Sequence, residues 1–196
     1  MKKLWIVLGV FALLVLGVFG WVKGTYNGFV RADEGVGQAW ADVESAYQRR
    51  ADLIPNLVET VKGYASHEQA VFQGVVEARA KVGQVTITAE SLTPEAIQRF
   101  QQAQQGLSGA LSRLFAVAEA YPDLKASQNF LDLQTQLEGT ENRINVARTR
   151  FNQASREYNT RIRSFPANFL ASAFGFQAKP YFQAEEGAET APKVKF

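Results

Sequence analysis

The sequence predicts an all-α protein: an N-terminal transmembrane helix followed by an antiparallel, up-and-down four-helix bundle. Three observations carry this. Leu4 to Val22 is one uncharged, almost wholly apolar stretch. From Tyr26 onward apolar residues recur at alternating steps of three and four, the spacing that lines one face of a helix. No segment alternates long enough for a half-buried strand; Val85-Thr86-Ile87-Thr88 is the only β-branched run and is too short for a sheet.

The first element follows from length. After Met1-Lys2-Lys3, the 19 residues Leu4–Val22 rise about 28 Å as a helix, against a hydrocarbon core of about 30 Å. Phe11 and Phe19 lie inside the span, while Trp5 and Trp21 stand near its ends, where amphipathic rings prefer the headgroups. A cleaved signal peptide is the rival, but its apolar region is typically about 7–15 residues, and Val18-Phe19-Gly20 fits a small-residue cleavage site poorly. Residues 1–24 are therefore expected to be a retained, single-pass anchor. Lys2, Lys3 and the terminal amine cluster more tightly than Lys23 and Arg31 beyond the span. That favours a cytoplasmic N-terminus and an exported bundle.

The bundle, residues 25–165, is expected to hold four amphipathic runs. They are Phe29, Val36, Trp40, Val43, Tyr47; then Ile54, Leu57, Val61, Tyr64, Val71, Val75; then Ile97, Phe100, Leu107, Leu111, Leu114, Ala118; and finally Phe130, Leu133, Leu137, Ile144, Ala147, Phe151, Ala154, Tyr158. Thr93-Pro94-Glu95 starts the third: Thr caps free backbone donors, Pro fits the first turn, and Glu suits the positive dipole end. Gly83–Leu92 is the longest loop, Pro122 ends the third helix and can open the fourth, and Pro166 closes the fourth. Pro55 admits two readings. Asp52 can cap a new helix there, so that the chain reverses, which matched helices near 25–51, 54–82 and 94–120 favour. The alternative is one long helix kinked at Pro55, because the apolar rhythm keeps its phase from Tyr47 through Ile54 to Leu57.

Polar residues interrupt this rhythm. Arg50, Glu68 and Thr140 fall at phases expected to be apolar, with Glu141, Asn142 and Arg143 beside the last. A charge at a helix seam must be paired or it costs several kcal/mol. Arg49, Arg50, Asp52, Asn56 and Glu59 are accordingly expected to form a polar network fixing the turn between helices 1 and 2; the competing reading is that half of them face water. The tail changes character. Residues 166–183 form an aromatic strap; with Phe165 just before it, Phe169, Phe174, Phe176, Tyr181 and Phe182 make either a contact patch for membrane or another subunit, or a strap packed over the bundle end. Residues 184–196 read as a disordered tail.

Composition narrows function. With 21 Lys+Arg against 19 Asp+Glu and no long run of one sign, the chain lacks the basic face of a nucleic-acid binder. Zero cysteines exclude thiolate chemistry, and one histidine excludes any pair of imidazoles. His67-Glu68, with Glu59 and Glu77, invites a metal site, but bundle di-iron centres need two Glu-x-x-His pairs, and residue 64 is Tyr64. Glu138 and Glu141 leave a carboxylate-based hydrolase as the alternative function; no motif supports it.

The chain resembles the LemA family. The resemblance rests on Tyr26-Asn27, Ala39-Trp40, the block from Gln48 to Ala65 that contains Asp52-Leu53-Ile54-Pro55-Asn56-Leu57, His67-Glu68, Ala78-Arg79, Ala120-Tyr121-Pro122-Asp123-Leu124-Lys125-Ala126, Leu137-Glu138-Gly139-Thr140-Glu141-Asn142-Arg143-Ile144, Phe174-Gly175-Phe176 and Tyr181-Phe182. It implies a bacterial single-pass membrane protein with a four-helix bundle, supports reversal at Pro55, and implies neither catalysis nor a cofactor. In some bacteria the family's genes lie beside a membrane zinc metalloprotease, a loose link to membrane protein quality control. The expected protein is a membrane-anchored interaction or scaffold module. Its partners are the bilayer and either further copies of itself or other membrane proteins; no nucleic acid and no small-molecule substrate is expected.

Overall fold

One helix of 63 residues, α1 (Lys2–Tyr64), contains both the apolar N-terminal segment and the first rod of the bundle. The computed structural model describes residues 2–183; the expectation for 184–196 lies outside them. After α1 come α2 (Gln69–Gly83), α3 (Pro94–Glu119), the single turn α4 (Pro122–Lys125), α5 (Gln128–Arg163) and α6 (Ala167–Ala173). The bundle half of α1, with α2, α3 and α5, makes the four up-and-down rods. Among the described residues there is no strand.

The reversal expected at Pro55 does not occur: Pro55 lies inside α1, and the chain turns instead at residues 65–68. The continuity through Pro55 offered by the long-helix alternative is realised, but only as far as Tyr64. The two expected helices are not fused, since the second apolar run is split between α1 and α2. The cost of the proline is met locally. Proline has no N–H, so the carbonyl four residues back, that of Ala51, loses its intrahelical donor. Arg79 of α2 supplies the replacement, with Nε donating to the Ala51 oxygen at 3.1 Å. Packing then rewards continuity. Leu57 and Val61 beyond the proline are as buried as Val36, Trp40, Val43 and Ile54 before it. Asp52 caps nothing; its carboxylate accepts from the Gln48 amide at 2.7 Å on the exposed side of the same helix.

Other boundaries follow their chemistry. Thr93 Oγ1 accepts from the Ala96 N–H at 3.1 Å, with Pro94 in the first turn of α3. Tyr121, extended before Pro122, separates α3 from α4. The loop from 84 to 93 buries Ile87 and Leu92, and the Ile87 carbonyl accepts from Trp40 Nε1 at 3.1 Å. Two apolar clusters fill the bundle. One surrounds Trp40, Phe100 and Phe151 near the apolar segment; the other surrounds Leu57, Leu107 and Leu114 at the far end.

Candidate functional site

Between the two clusters lies a polar layer. Arg50 of α1, Gln104 of α3 and Thr140 of α5 are all buried where the apolar stripes of their helices are interrupted. Arg50 is 4% exposed. One of its terminal nitrogens donates to Glu141 Oε2 at 3.1 Å and to Ser108 Oγ at 3.3 Å, and the other donates to Gln104 Oε1. Its guanidinium also stands 5.2 Å from the Tyr47 ring centre, a favourable cation–π arrangement. Arg50 Nε and Gln104 Nε2 find no protein acceptor among the described residues.

The five-residue network expected at a helix 1–2 turn is therefore corrected. Arg50 alone of the five is buried, and it joins α1 to α3 and α5 at mid-bundle rather than fixing a turn. Asp52 pairs with Gln48, Glu59 pairs with Lys62 at 3.7 Å in solvent, and Asn56 offers its carbonyl to Thr60. Arg49 lines an open groove between α1 and α5 with Asp42, Arg143 and Arg150. Among the described residues none of these three arginines has a carboxylate within ion-pair distance.

The second feature is the strap. After α6, Gly175 takes φ +76°, a conformation that L side chains rarely adopt. The Phe176 N–H then bonds the Ala171 carbonyl at 2.9 Å and the Gly175 N–H bonds that of Ser172 at 3.3 Å, closing the helix and sending the chain back along the bundle. Two asparagines of α5 hold the returning chain. Asn159 accepts from the Lys179 N–H at 2.8 Å and donates to the Lys179 carbonyl at 2.8 Å; Asn152 does the same for Phe182 at 2.8 and 3.0 Å. The spacing explains the match: seven helical residues rise about 10.5 Å, and three extended residues span about 10 Å. Asn159 also donates to the Tyr181 hydroxyl at 2.9 Å, and Lys179 stands 2.7 Å from Asp33 of α1. Burial, with the Asp33 charge second, pushes the Tyr158 hydroxyl beside this pair up to about 12. Sequence reasoning missed Asn152 and Asn159. Their signal was faint: two amides seven apart, each next to a buried aromatic of α5.

The strap divides the six aromatics expected to form one patch. Phe182 is buried and stacks on Trp40, with ring centres 6.1 Å apart; Phe176 is half-buried against Phe29 at 5.1 Å. These two belong to the core. Phe165, Phe169, Phe174 and Tyr181 remain exposed. In the apolar segment, Leu4, Trp5, Phe11, Phe19 and Trp21 are all exposed, Val22 is partly so, and the window that qualifies as a membrane span has none of its residues covered.

His67 sits exposed in the turn after α1, not on a helix. Among the described residues no three His, Cys, Asp or Glu side chains are placed to hold a metal ion. Glu141 is engaged by Arg50, and Glu138 accepts from Gln134 at 3.1 Å on the outer face of α5.

Comparison with known proteins places this architecture. The sequence model of the LemA family matches residues 39–196. Magnetosome protein MamQ 2 of Paramagnetospirillum magneticum is 29% identical over 182 residues, covering 84% of this chain and 67% of that protein. Magnetosome protein MamQ of Magnetospirillum gryphiswaldense is 28% identical over 182 residues, with the same coverage. Protein LemA of Metamycoplasma hominis is 25% identical over 177 residues, covering 90% of this chain and 77% of its own.

Proposed function

Since the chain belongs to the LemA family, we propose that it is a non-catalytic scaffold of the bacterial envelope, anchored in the inner membrane by residues 4–22 and presenting its bundle to partners at a fixed height. One observation carries the reading: α1 runs without a break from the uncovered apolar segment into the core of the bundle. A helix held along its upper half, chiefly by α5, cannot pivot freely on its lower half, so anchor and rod move together. Fourteen large apolar side chains between Leu4 and Trp21 stand exposed. At about 1.5–3 kcal/mol for each, their removal from water is worth on the order of 20–40 kcal/mol, ample for stable insertion. The names of its relatives describe no reaction.

The partner surface we favour is the α1–α5 groove, where Arg49, Arg143 and Arg150 offer guanidinium groups to an acidic segment of another membrane protein. Lys2 and Lys3 favour a cytoplasmic N-terminus with the bundle exported, and protease shaving of spheroplasts tests that orientation. The scaffold itself is tested in intact cells. The full chain resists alkaline extraction from membranes and gives discrete crosslinked adducts. Arg143→Glu with Arg150→Glu keeps the chain in the membrane and loses those adducts. Extraction of the wild-type chain refutes the anchor; the absence of any adduct refutes the scaffold.

A further inference from the structure

The foot of the bundle carries an exposed aromatic surface that packing does not explain. Phe165, Phe169 and Phe174 are 81%, 66% and 52% exposed. They flank or lie on α6, whose opposite side is held: Ala171 is buried and Leu170 packs on the core. Phe165 and Phe169 contact one another at 6.0 Å, and Phe174 sits edge-on to Tyr26 at 5.0 Å. Tyr26 is four residues past Val22 along one unbroken helix, a rise of about 6 Å. Each headgroup layer is about 5–8 Å deep, so a ring resting on Tyr26 falls within it.

We propose that this foot is a second, interfacial membrane contact, with Phe165, Phe169 and Phe174 lying at the headgroup–acyl boundary of an anionic bilayer. The proposal rests on the anchor reading above. α6 has no charged residue of its own, which as a sequence argues against a surface-binding helix. The fold supplies cations from neighbouring elements. Arg161 and Arg163 close α5, Lys23 lies just above Trp21, and the Arg161 guanidinium reaches Gly28 of α1, 3.8 Å from where a Cβ there would stand. All three are exposed. Aromatic rings between basic side chains suit lipid phosphates and the boundary beneath them. The contact would fix the tilt of the rod as well as its height, since one helix alone leaves rotation about its membrane entry point free.

The absence of cysteine permits single-site labels on the full chain. Asn168→Cys, Phe169→Cys, Phe11→Cys and Ser112→Cys each carry an environment-sensitive fluorophore in sparse phosphatidylcholine–phosphatidylglycerol vesicles containing lipids with shallow or deep nitroxide quenchers. The expected pattern is deep quenching at 11, clear shallow quenching at 168 and 169, and none at 112. Asn168→Cys keeps all three rings, so loss of one ring cannot decide the outcome. Quenching at 11 with labels at 168 and 169 as water-exposed as the one at 112 overturns the foot and leaves the anchor standing. No quenching at 11 overturns the anchor itself. Shielding at 168 and 169 that lipid quenchers do not reach, and that fades as protein is diluted, assigns the surface to a second copy and overturns the proposal.

Discussion

Replacing Arg50 with methionine tests how the polar layer contributes to stability. Methionine keeps most of the buried stem but removes the donors to Gln104, Ser108 and Glu141. Glu141 is about half exposed, so it returns to water at little cost. Gln104 is 5% exposed and cannot. With its Nε2 already unpartnered, its whole amide would be left without a protein partner, at about 1–3 kcal/mol. Loss of the contact with Tyr47 adds roughly 0.5–1 kcal/mol, and release of a buried guanidinium with an unpaired Nε offsets part of the total. The net expectation is a loss of about 1–3 kcal/mol, or a melting midpoint lower by about 2–12 °C for a domain of this size. Thermal unfolding of the full chain in detergent, followed by circular dichroism, measures it. The decisive comparison is Arg50→Met with Gln104→Leu. If the orphaned amide causes the loss, joining the two apolar clusters directly restores stability to the wild-type value or above. A single variant that melts like wild type, or a double variant no better than the single, refutes the account.

Four further outcomes follow from particular contacts. Asn159→Ala combined with Asn152→Ala releases the strap, and limited proteolysis then cuts between residues 174 and 183, where the wild-type chain resists. Ser155 is fully buried and its hydroxyl has no partner among the described residues, so Ser155→Ala leaves unfolding stability unchanged or raises it by up to about 1 kcal/mol, read from thermal unfolding. The Tyr158 hydroxyl sits near 12 in the fold against an ordinary value of 10.0, chiefly through burial. Its stabilising effect is complete below about pH 10 and declines as pH rises toward 12, by roughly 2–3 kcal/mol; Tyr158→Phe removes that decline from alkaline denaturation curves. Spin labels at Gln48→Cys and Lys62→Cys sit about 21 Å apart along a straight axis, and a pulsed dipolar distance far below this contradicts continuity through Pro55.

How far the sequence could be read depended on the range of the forces involved. The apolar segment, the first, third and fourth helical runs and the Thr93-Pro94 start are local patterns, and each appears where its residues place it, whereas the second run is split between α1 and α2. Arg50 and Thr140 were visible as interruptions, because a polar residue on an apolar stripe stands out without knowledge of its neighbours. Gln104 was not visible, since a glutamine in a Gln-rich stretch carries no contrast. Pro55 misled for the same reason in reverse. Its penalty is local, whereas the donor that relieves it comes from Arg79, 28 residues from the orphaned Ala51 carbonyl.

The amino-acid order alone thus determined an all-helical chain with a membrane-length apolar segment, because hydrophobic periodicity and length act residue by residue. Only tertiary packing decided that the apolar segment and first rod are one helix, that Arg50 joins three helices, and that Phe176 and Phe182 are core while Phe165 and Phe169 face outward. The physical reason is that a side chain's partners across a bundle are set by the lengths of intervening turns and by the register in which rods settle, quantities that no short stretch of sequence contains.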